Sequence, residues 1–293
     1  YIDGTSVNYA TGTATIYNST ANVYIGDQDE DGNPQPYEGL LAHVAIYNIA
    51  LSASEVSQNY NALKGRFAGS FSSPPAPSIV TDDLLLHFDA GNSSSYPGSG
   101  TTLTDLVGSN NGTLVNGVTY SSDDGGTLVF DGANDYVTFG LPSESDGVPL
   151  NDFDITMEAW CRFSGTISPY GSVVCFDSYD LQIMPKDSNN IGVWVSDATL
   201  TLGAAIEADV WYHFAMTKSG NVYALYADGD LAGSVTDTDN LTIGSVGQLA
   251  QNGAGVYSTY LEGQIPIMRL YDKGLTAAEV EQNFDAEKGR FGL

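Results

Sequence analysis

The chain has 293 residues, 42% of them hydrophobic and only 15% charged, a composition that folds and is long enough for one large or two ordinary domains. Its 36 acidic residues outnumber 9 basic ones, and a net charge of −27 repels phosphate backbones and anionic membranes, arguing against nucleic-acid and lipid partners. Divalent cations and salty water suit such a surface, and no apolar run reaches the ~20 residues that span a bilayer.

In chain order, the first chemical signal is DQDEDGNPQPYE at 27–38. Asp27, Asp29, Asp31 and Glu38, with Gly32 after the third aspartate, have the spacing of a twelve-residue calcium loop, and Asn33 offers a backbone carbonyl. The flanking runs NVYIG and GLLAHVAIY read as strands, so the loop lacks the helices of an EF-hand. Three aspartates within five residues repel one another unless a cation joins them. Calcium is therefore the expected cofactor, against the alternative of a solvated acidic turn.

Residues 37–67 (YEGLLAHVAIYNIALSASEVSQNYNALKGRF) align without gaps with 261–291 (LEGQIPIMRLYDKGLTAAEVEQNFDAEKGRF), 14 of 31 positions being identical. The Pro/Ser/Ala-rich stretch 68–83 between the copies reads as a linker. The expected layout is thus 1–67, the C-terminal part of a first unit, and 84–293, a complete second one. Each closes on a helix: Ser52 and Glu55, and Thr276 and Glu279, have capping-box spacing, while Lys64–Gly65 and Lys288–Gly289 supply a basic last turn and a glycine stop. Leu275, Val280 and Phe284 form the second helix's apolar stripe, with Phe291 just beyond.

The second unit reads as all-β. Short runs such as LLLHFDA, TLVFDG, DYVTFG, LQIMP, IGVWVS, WYHFAMTK and VYALYADG alternate or are rich in β formers, punctuated by Gly, Asp, Asn and Ser. In FDITMEAWCRF, Phe153, Ile155, Met157, Ala159, Cys161 and Phe163 share one face, as a strand on a sandwich core requires. Cys161 and Cys175 lie in runs that read as neighbouring strands; a cross-strand disulfide and two buried free thiols both stay open.

The motifs FDGANDYV (130–137), FDITMEAW (153–160), WYHFAMTKSGNVYALYADG (211–229) and LEGQIPIMRLYDKGLTAAEV (261–280), in this order, resemble the laminin-G-like, concanavalin-A-like lectin/glucanase jelly roll. The opening FDAGNSSSYPGSGTTLTDLVGSNNGTLVNGVTYSSDDGGTLVFDG is similar to the version found in marine phage structural proteins. The resemblance implies tandem antiparallel jelly-roll sandwiches of about fourteen strands, the first incomplete in this chain. It also implies a structural calcium and glycan or protein adhesion. Its signature contains Asp131 and Asp135, a second candidate cation site, although Asp-Gly and Asn-Asp turns need such residues for backbone reasons. Where the family places acids after F-x-G-x-I, this chain has Pro266 and Ile267, and Ala42 and His43 in the first copy, so that role does not carry over.

Catalytic signals are weak. Glycosidases on this jelly roll set two carboxylates along one strand, whereas TMEAWC offers only Glu158. His43, His87 and His213 each sit inside a strand pattern and read as packing or surface residues. Glycan binding calls for exposed aromatics beside polar groups, for which Tyr96, Tyr120, Tyr170, Tyr179 and Tyr257 are candidates in turn-like surroundings. The sequons at Asn18, Asn92, Asn111 and Asn240 fit chance in a chain rich in Asn, Ser and Thr. The expected role is non-enzymatic adhesion or display on a virion or cell surface, with a glycan or other surface subunits as partners. A purely structural virion or filament subunit without a carbohydrate ligand is the alternative, and an accessory domain of a glycan-cleaving enzyme is a third reading. The strands that would complete the first unit are expected before Tyr1 or from a neighbouring subunit, within a homo-oligomer or larger assembly.

Overall fold

The computed structural model describes residues 43–47, 49–67, 78–141, 154–176, 181–195, 198–238, 245–252 and 259–293. The chain forms two compact units, Tyr1–Pro75 and Ala76–Leu293. In the first, helix α1 (Ala53–Phe67) begins at a reciprocal capping box: the Glu55 carboxylate accepts from the Ser52 backbone N–H at 2.8 Å and the Ser52 hydroxyl accepts from Glu55 N–H at 3.3 Å.

The second unit carries sixteen strands among the described residues. In chain order they are β1 (Leu84–Asp89), β2 (Thr102–Leu103), β3 (Gly112–Val115), β4 (Thr119–Ser121), β5 (Thr127–Asp131), β6 (Tyr136–Gly140), β7 (Ile155–Phe163) and β8 (Val174–Phe176). Then follow β9 (Leu181–Asp187), β10 (Asn190–Val195), β11 (Ala198–Ala205), β12 (Trp211–Ser219), β13 (Val222–Ala227), β14 (Asp230–Thr236), β15 (Val246–Leu249) and β16 (Glu262–Tyr271). Helix α2 (Ala277–Glu287) closes the unit. One antiparallel sheet has the order β14-β13-β12-β7-β16-β5-β4, with β1 also on β16; the other runs β11-β10-β9-β8-β15-β6-β3-β2. The two sheets form the expected jelly-roll sandwich, with sixteen described strands rather than about fourteen.

Period-two alternation builds the core between them. Ile155, Met157, Ala159, Cys161 and Phe163 of β7 face inward, as their spacing predicts, against Val137, Phe139, Val174, Phe176 and Ile183 of the other sheet. Gly247 of β15 is required by close packing, because a Cβ there would lie 2.3 Å from the Phe139 ring. Pro266 sits at a bulge in β16, where the ladder to β7 shifts register and the other neighbour changes from β5 to β1. A proline is tolerated there because the bulge frees its nitrogen from the ladder; its carbonyl accepts from Ala90 N–H at 2.8 Å.

Cys161 and Cys175 are buried and not joined in a disulfide. The strands that hold them, β7 and β8, belong to different sheets and are not neighbours. Residues 78–83, read from sequence as linker, are instead tied into the second unit. Val80 N–H donates to Asn283 Oδ1 at 2.7 Å and its carbonyl accepts from the Tyr271 hydroxyl at 3.1 Å. The glycine stops also differ from expectation. Helix α1 runs through Gly65, and after α2 the chain turns on through a 3-10 segment, Lys288–Arg290, before Gly292 takes φ +78°.

Candidate functional site

Two surfaces carry polar chemistry, one on the outward face of each sheet. Behind the first lies a charge cluster under α2. Outward positions of β7, β12 and β16 place Glu158, Trp160, His213, Ile267, Arg269 and Tyr271 side by side in register. The Thr276 capping box starts α2 over them, and Leu275, Val280, Phe284 and Phe291 dock on this face. Arg269 donates through Nη1 to Glu158 Oε1 at 2.6 Å and through Nη2 to the Glu287 carboxylate. The Asn283 amide donates to both Glu158 oxygens, at 3.1 and 3.0 Å. His213 Nε2 lies 3.5 Å from Glu158 Oε2, the outer limit of a hydrogen bond.

Burial alone pushes the Glu158 carboxyl upward, but His213, Arg269 and Asn283 reverse this and hold it down at about 2. Of these partners Arg269 has the best geometry. Burial and the Glu158 charge push the Tyr271 hydroxyl up, so it stays a neutral donor. Glu158, the one carboxylate within TMEAWC, is thus ionised, sealed beneath a helix and committed to an ion pair. It does not face an open cleft.

His87, opposite Arg269 on β1, completes this surface. Its Nε2 is buried without a hydrogen-bond partner, and burial and the Arg269 charge lower its imidazole to about 4 against the opposing pull of Asp89, Glu158 and Asp105. The unfolded chain takes up this proton near pH 6.5, so stability contributed by neutral His87 is present above that pH and lost as pH falls toward 4. Acidification across this window is expected to cost roughly 3 kcal/mol, and His87→Gln to flatten that part of a pH–stability curve measured by urea unfolding.

The outward face of the second sheet is different. Pairing register aligns one residue from each of seven strands in a row: Thr102, Thr113, Thr138, Gln248, Cys175, Gln182 and Trp194. Their neighbours along each strand point into the core. Cys175 and Gln182, mid-row, are buried, with Gln182 Oε1 accepting from Ser172 at 2.6 Å. Toward β3 the row opens: Thr138 and Gln248 are half-buried and Thr113 exposed. Tyr136 projects from the same face, and its ring lies 6.5 Å from that of Tyr260, both half-buried. The Tyr170 carbonyl accepts from the Thr259 hydroxyl at 2.5 Å, which brings a third tyrosine's backbone to this edge. Tyr170 is 47% exposed and holds φ +69°, a left-handed conformation costly for a bulky side chain. Among the described residues, these positions carry hydroxyls, amides and aromatic rings and no charge.

The other sequence candidates fall elsewhere. Tyr96 is buried, its hydroxyl donating to the Gly100 carbonyl at 2.9 Å and its ring packed 5.7 Å from Tyr120, so both serve the fold. Tyr179, Tyr257 and the loop of Asp27, Asp29, Asp31, Asn33 and Glu38 lie outside the described residues. Asp131 Oδ1 accepts from Ala133 N–H at 2.8 Å in a tight turn, and Asp135 Oδ2 accepts from Asp131 N–H at 3.4 Å. Burial and the Asp131 charge push the Asp135 carboxyl upward. Among the described residues no three His, Cys, Asp or Glu side chains converge on one point. His87 and His213, distant in sequence, are brought to opposite flanks of the Glu158–Arg269 pair. His43 is exposed.

A family model described as the concanavalin A-like lectin/glucanases superfamily matches residues 1–57 and 130–281, more than half of the chain. No curated protein matches it. Among solved structures, Trypanosoma rangeli sialidase in complex with sialic acid is similar at 13% identity and TM-score 0.58, over 82% of this chain and 40% of the sialidase. The botulinum neurotoxin serotype G binding domain matches at 12% identity and TM-score 0.53, over 69% of this chain and 50% of that one. The binding domain of Paraclostridial Mosquitocidal Protein 1 matches at 15% and 0.53, over 69% and 52%. The chain therefore spans about half or less of these proteins' lengths, and at such identities the likeness is one of fold alone. By its sequence and by the sandwich just described, the chain belongs to the concanavalin A-like lectin/glucanases superfamily.

Proposed function

We propose that this protein is a non-catalytic carbohydrate-binding module for adhesion or display, which holds uncharged glycans on the outward face of its second sheet. The observation that carries this reading is the open row Thr113, Thr138 and Gln248, flanked by the Tyr136–Tyr260 pair. Aromatic faces for sugar rings stand there beside neutral hydrogen-bonding groups. Trp194 lies four strands from Tyr136, roughly 19 Å at ordinary strand spacing, which suits an extended oligosaccharide more than a single sugar. Uncharged ligands are favoured because a surface of net charge −27 repels anionic ones. Against catalysis stands the commitment of Glu158 to Arg269 beneath α2, together with the lack of a paired carboxylate on the open row.

Display on a virion, or otherwise on a cell surface, in a homo-oligomer or larger assembly, belongs to the same reading. It rests on the sequence resemblance and the acidic composition. Calcium belongs to it through Asp27, Asp29, Asp31, Asn33 and Glu38. Titration calorimetry with millimolar calcium should give a binding isotherm that Asp29→Ala abolishes; absence of heat in the parent chain removes calcium from the account.

A glycan array separates this function from the alternative of a purely structural subunit. Parent protein should bind neutral oligosaccharides in preference to sialylated or sulfated ones, and the Tyr136→Ala/Tyr260→Ala double substitution should cut that binding at least tenfold with the fold intact. No binding to any glycan would favour the structural subunit.

A further inference from the structure

The first unit carries a second copy of the segment that closes the second unit, and the copies differ where the second unit buries charge. In the gapless alignment Val44, Ile46 and Tyr47 correspond to Met268, Leu270 and Tyr271, and Asn59 to Asn283. The Asn59 amide donates to the Tyr47 hydroxyl at 3.0 Å, just as Asn283 donates to Tyr271 at 2.9 Å. This one hydrogen bond ties helix α1 to the segment 43–47 as its counterpart ties α2 to β16, although Tyr47 is 49% exposed where Tyr271 is fully buried. Yet Met268 and Leu270 are fully buried in the sandwich core, whereas Val44 and Ile46 are 49% and 78% exposed, and Ile49 61%. A copy of the closing segment whose apolar side chains are bare, where their counterparts are buried, fits one occupant: a sandwich body of the same family that lacks its own last strand and helix.

Charge decides which body. Ala45 stands at the place of Arg269, and Leu63 at the place of Glu287. In the second unit Glu158 is buried and paired with Arg269, so a segment that offers Ala45 at this place would leave the carboxylate without a counter-charge. We propose that residues 43–67 close a laminin-G-like sandwich whose residue at the place of Glu158 is apolar. The Glu158–Arg269–Glu287 cluster then reserves the second unit's slot for residues 261–291 and prevents the two closing segments from exchanging. Specificity of this kind works by repulsion, since the wrong segment buries an unpaired charge while the right one neutralises it.

A chimera of the full chain tests this, with residues 261–291 replaced by a further copy of 37–67. Its Tm should fall by about 10 °C, the scale set by one uncompensated buried charge in a unit of this size. Glu158→Leu should restore most of that loss in the chimera, while the same substitution lowers the Tm of the parent, where Arg269 loses a partner. This reversal of sign is the signature of the proposal. It is overturned if Glu158→Leu fails to raise the chimera's Tm, or if the Glu158 chimera is as stable as the parent. Failure of both chimeras to fold, judged by far-UV circular dichroism and gel filtration, also overturns it, because residues 37–67 would then be unable to close a sandwich.

Discussion

Arg269→Ala is expected to destabilise the second unit by about 3–5 kcal/mol, lowering its Tm by roughly 10 °C. The guanidinium is buried and bridges two carboxylates, Glu158 and Glu287, with a separate Nη for each. Truncation strands Glu158 beneath α2 with only Asn283 and the distant His213 as partners. Arg269→Lys should recover part of the loss but not all, since one ammonium cannot reproduce two separately aimed donors. Acid titration gives an independent reading. The Glu158 carboxyl is depressed from 4.5 to about 2. It therefore contributes stability that is present above pH 4.5 and lost as pH falls toward 2. In Arg269→Ala that acid-dependent loss should shrink, because the charge pair is already gone. Urea unfolding from pH 7 to pH 2 for both proteins measures the two effects together.

Trp160→Ala should cost a comparable 3–5 kcal/mol, through packing rather than charge. The indole is fully buried and stacked at 4.2 Å on Phe291 and 5.7 Å on Phe284, with Trp211 joining through Phe291 at 4.8 Å. Its N–H donates to Glu287 at 2.8 Å, which joins the aromatic stack to the ion cluster. Alanine leaves a large cavity between sheet and helix and releases Glu287 from one of its donors. Trp160→Phe keeps much of the ring volume and loses only the donor, so about 1–2 kcal/mol is expected. Since the stack holds α2 against the sheet, the alanine variant should also be cleaved sooner in the segment 277–291 by limited proteolysis. Equal cleavage rates in variant and parent would show that the helix is held by other means.

Strong local periodicity made much of this fold legible. The inward face of β7 follows from alternation within eleven residues, and both helix starts follow from capping boxes three residues apart. The gapless repeat marks β16 and α2 in the second unit and helix α1 in the first. Elements whose partners are remote were not readable in the same way. Strands β3 and β14 (GTLV and DLAGSVT) are short or glycine-containing, and their strand character comes from neighbours along the sheet. Asn283 and Glu287 look like the solvent side of an amphipathic helix. They point inward because Glu158 and Arg269, 111 residues apart, meet beneath them.

The open row of the second sheet was the least visible feature. Thr113, Thr138 and Gln248 come from three distant segments and become neighbours only through register. Nothing in the local sequence around Tyr260 marks its pairing with Tyr136, whereas Tyr96, in a turn-like setting, is a packed core residue. Among the described candidates Tyr96, Tyr120 and Tyr170, it is Tyr170 whose backbone the structure brings to this edge. Its positive φ could not have been read from the amino-acid order.

The most direct measurement is residue-resolved NMR of the full chain titrated with a neutral oligosaccharide of four or more sugars, with the sugar signals followed in the same tube. The account predicts shifts concentrated at Thr113, Tyr136, Thr138, Gln248 and Tyr260, and a glycan that stays intact. Shifts gathered on another face, or the appearance of cleaved sugar ends, would contradict it.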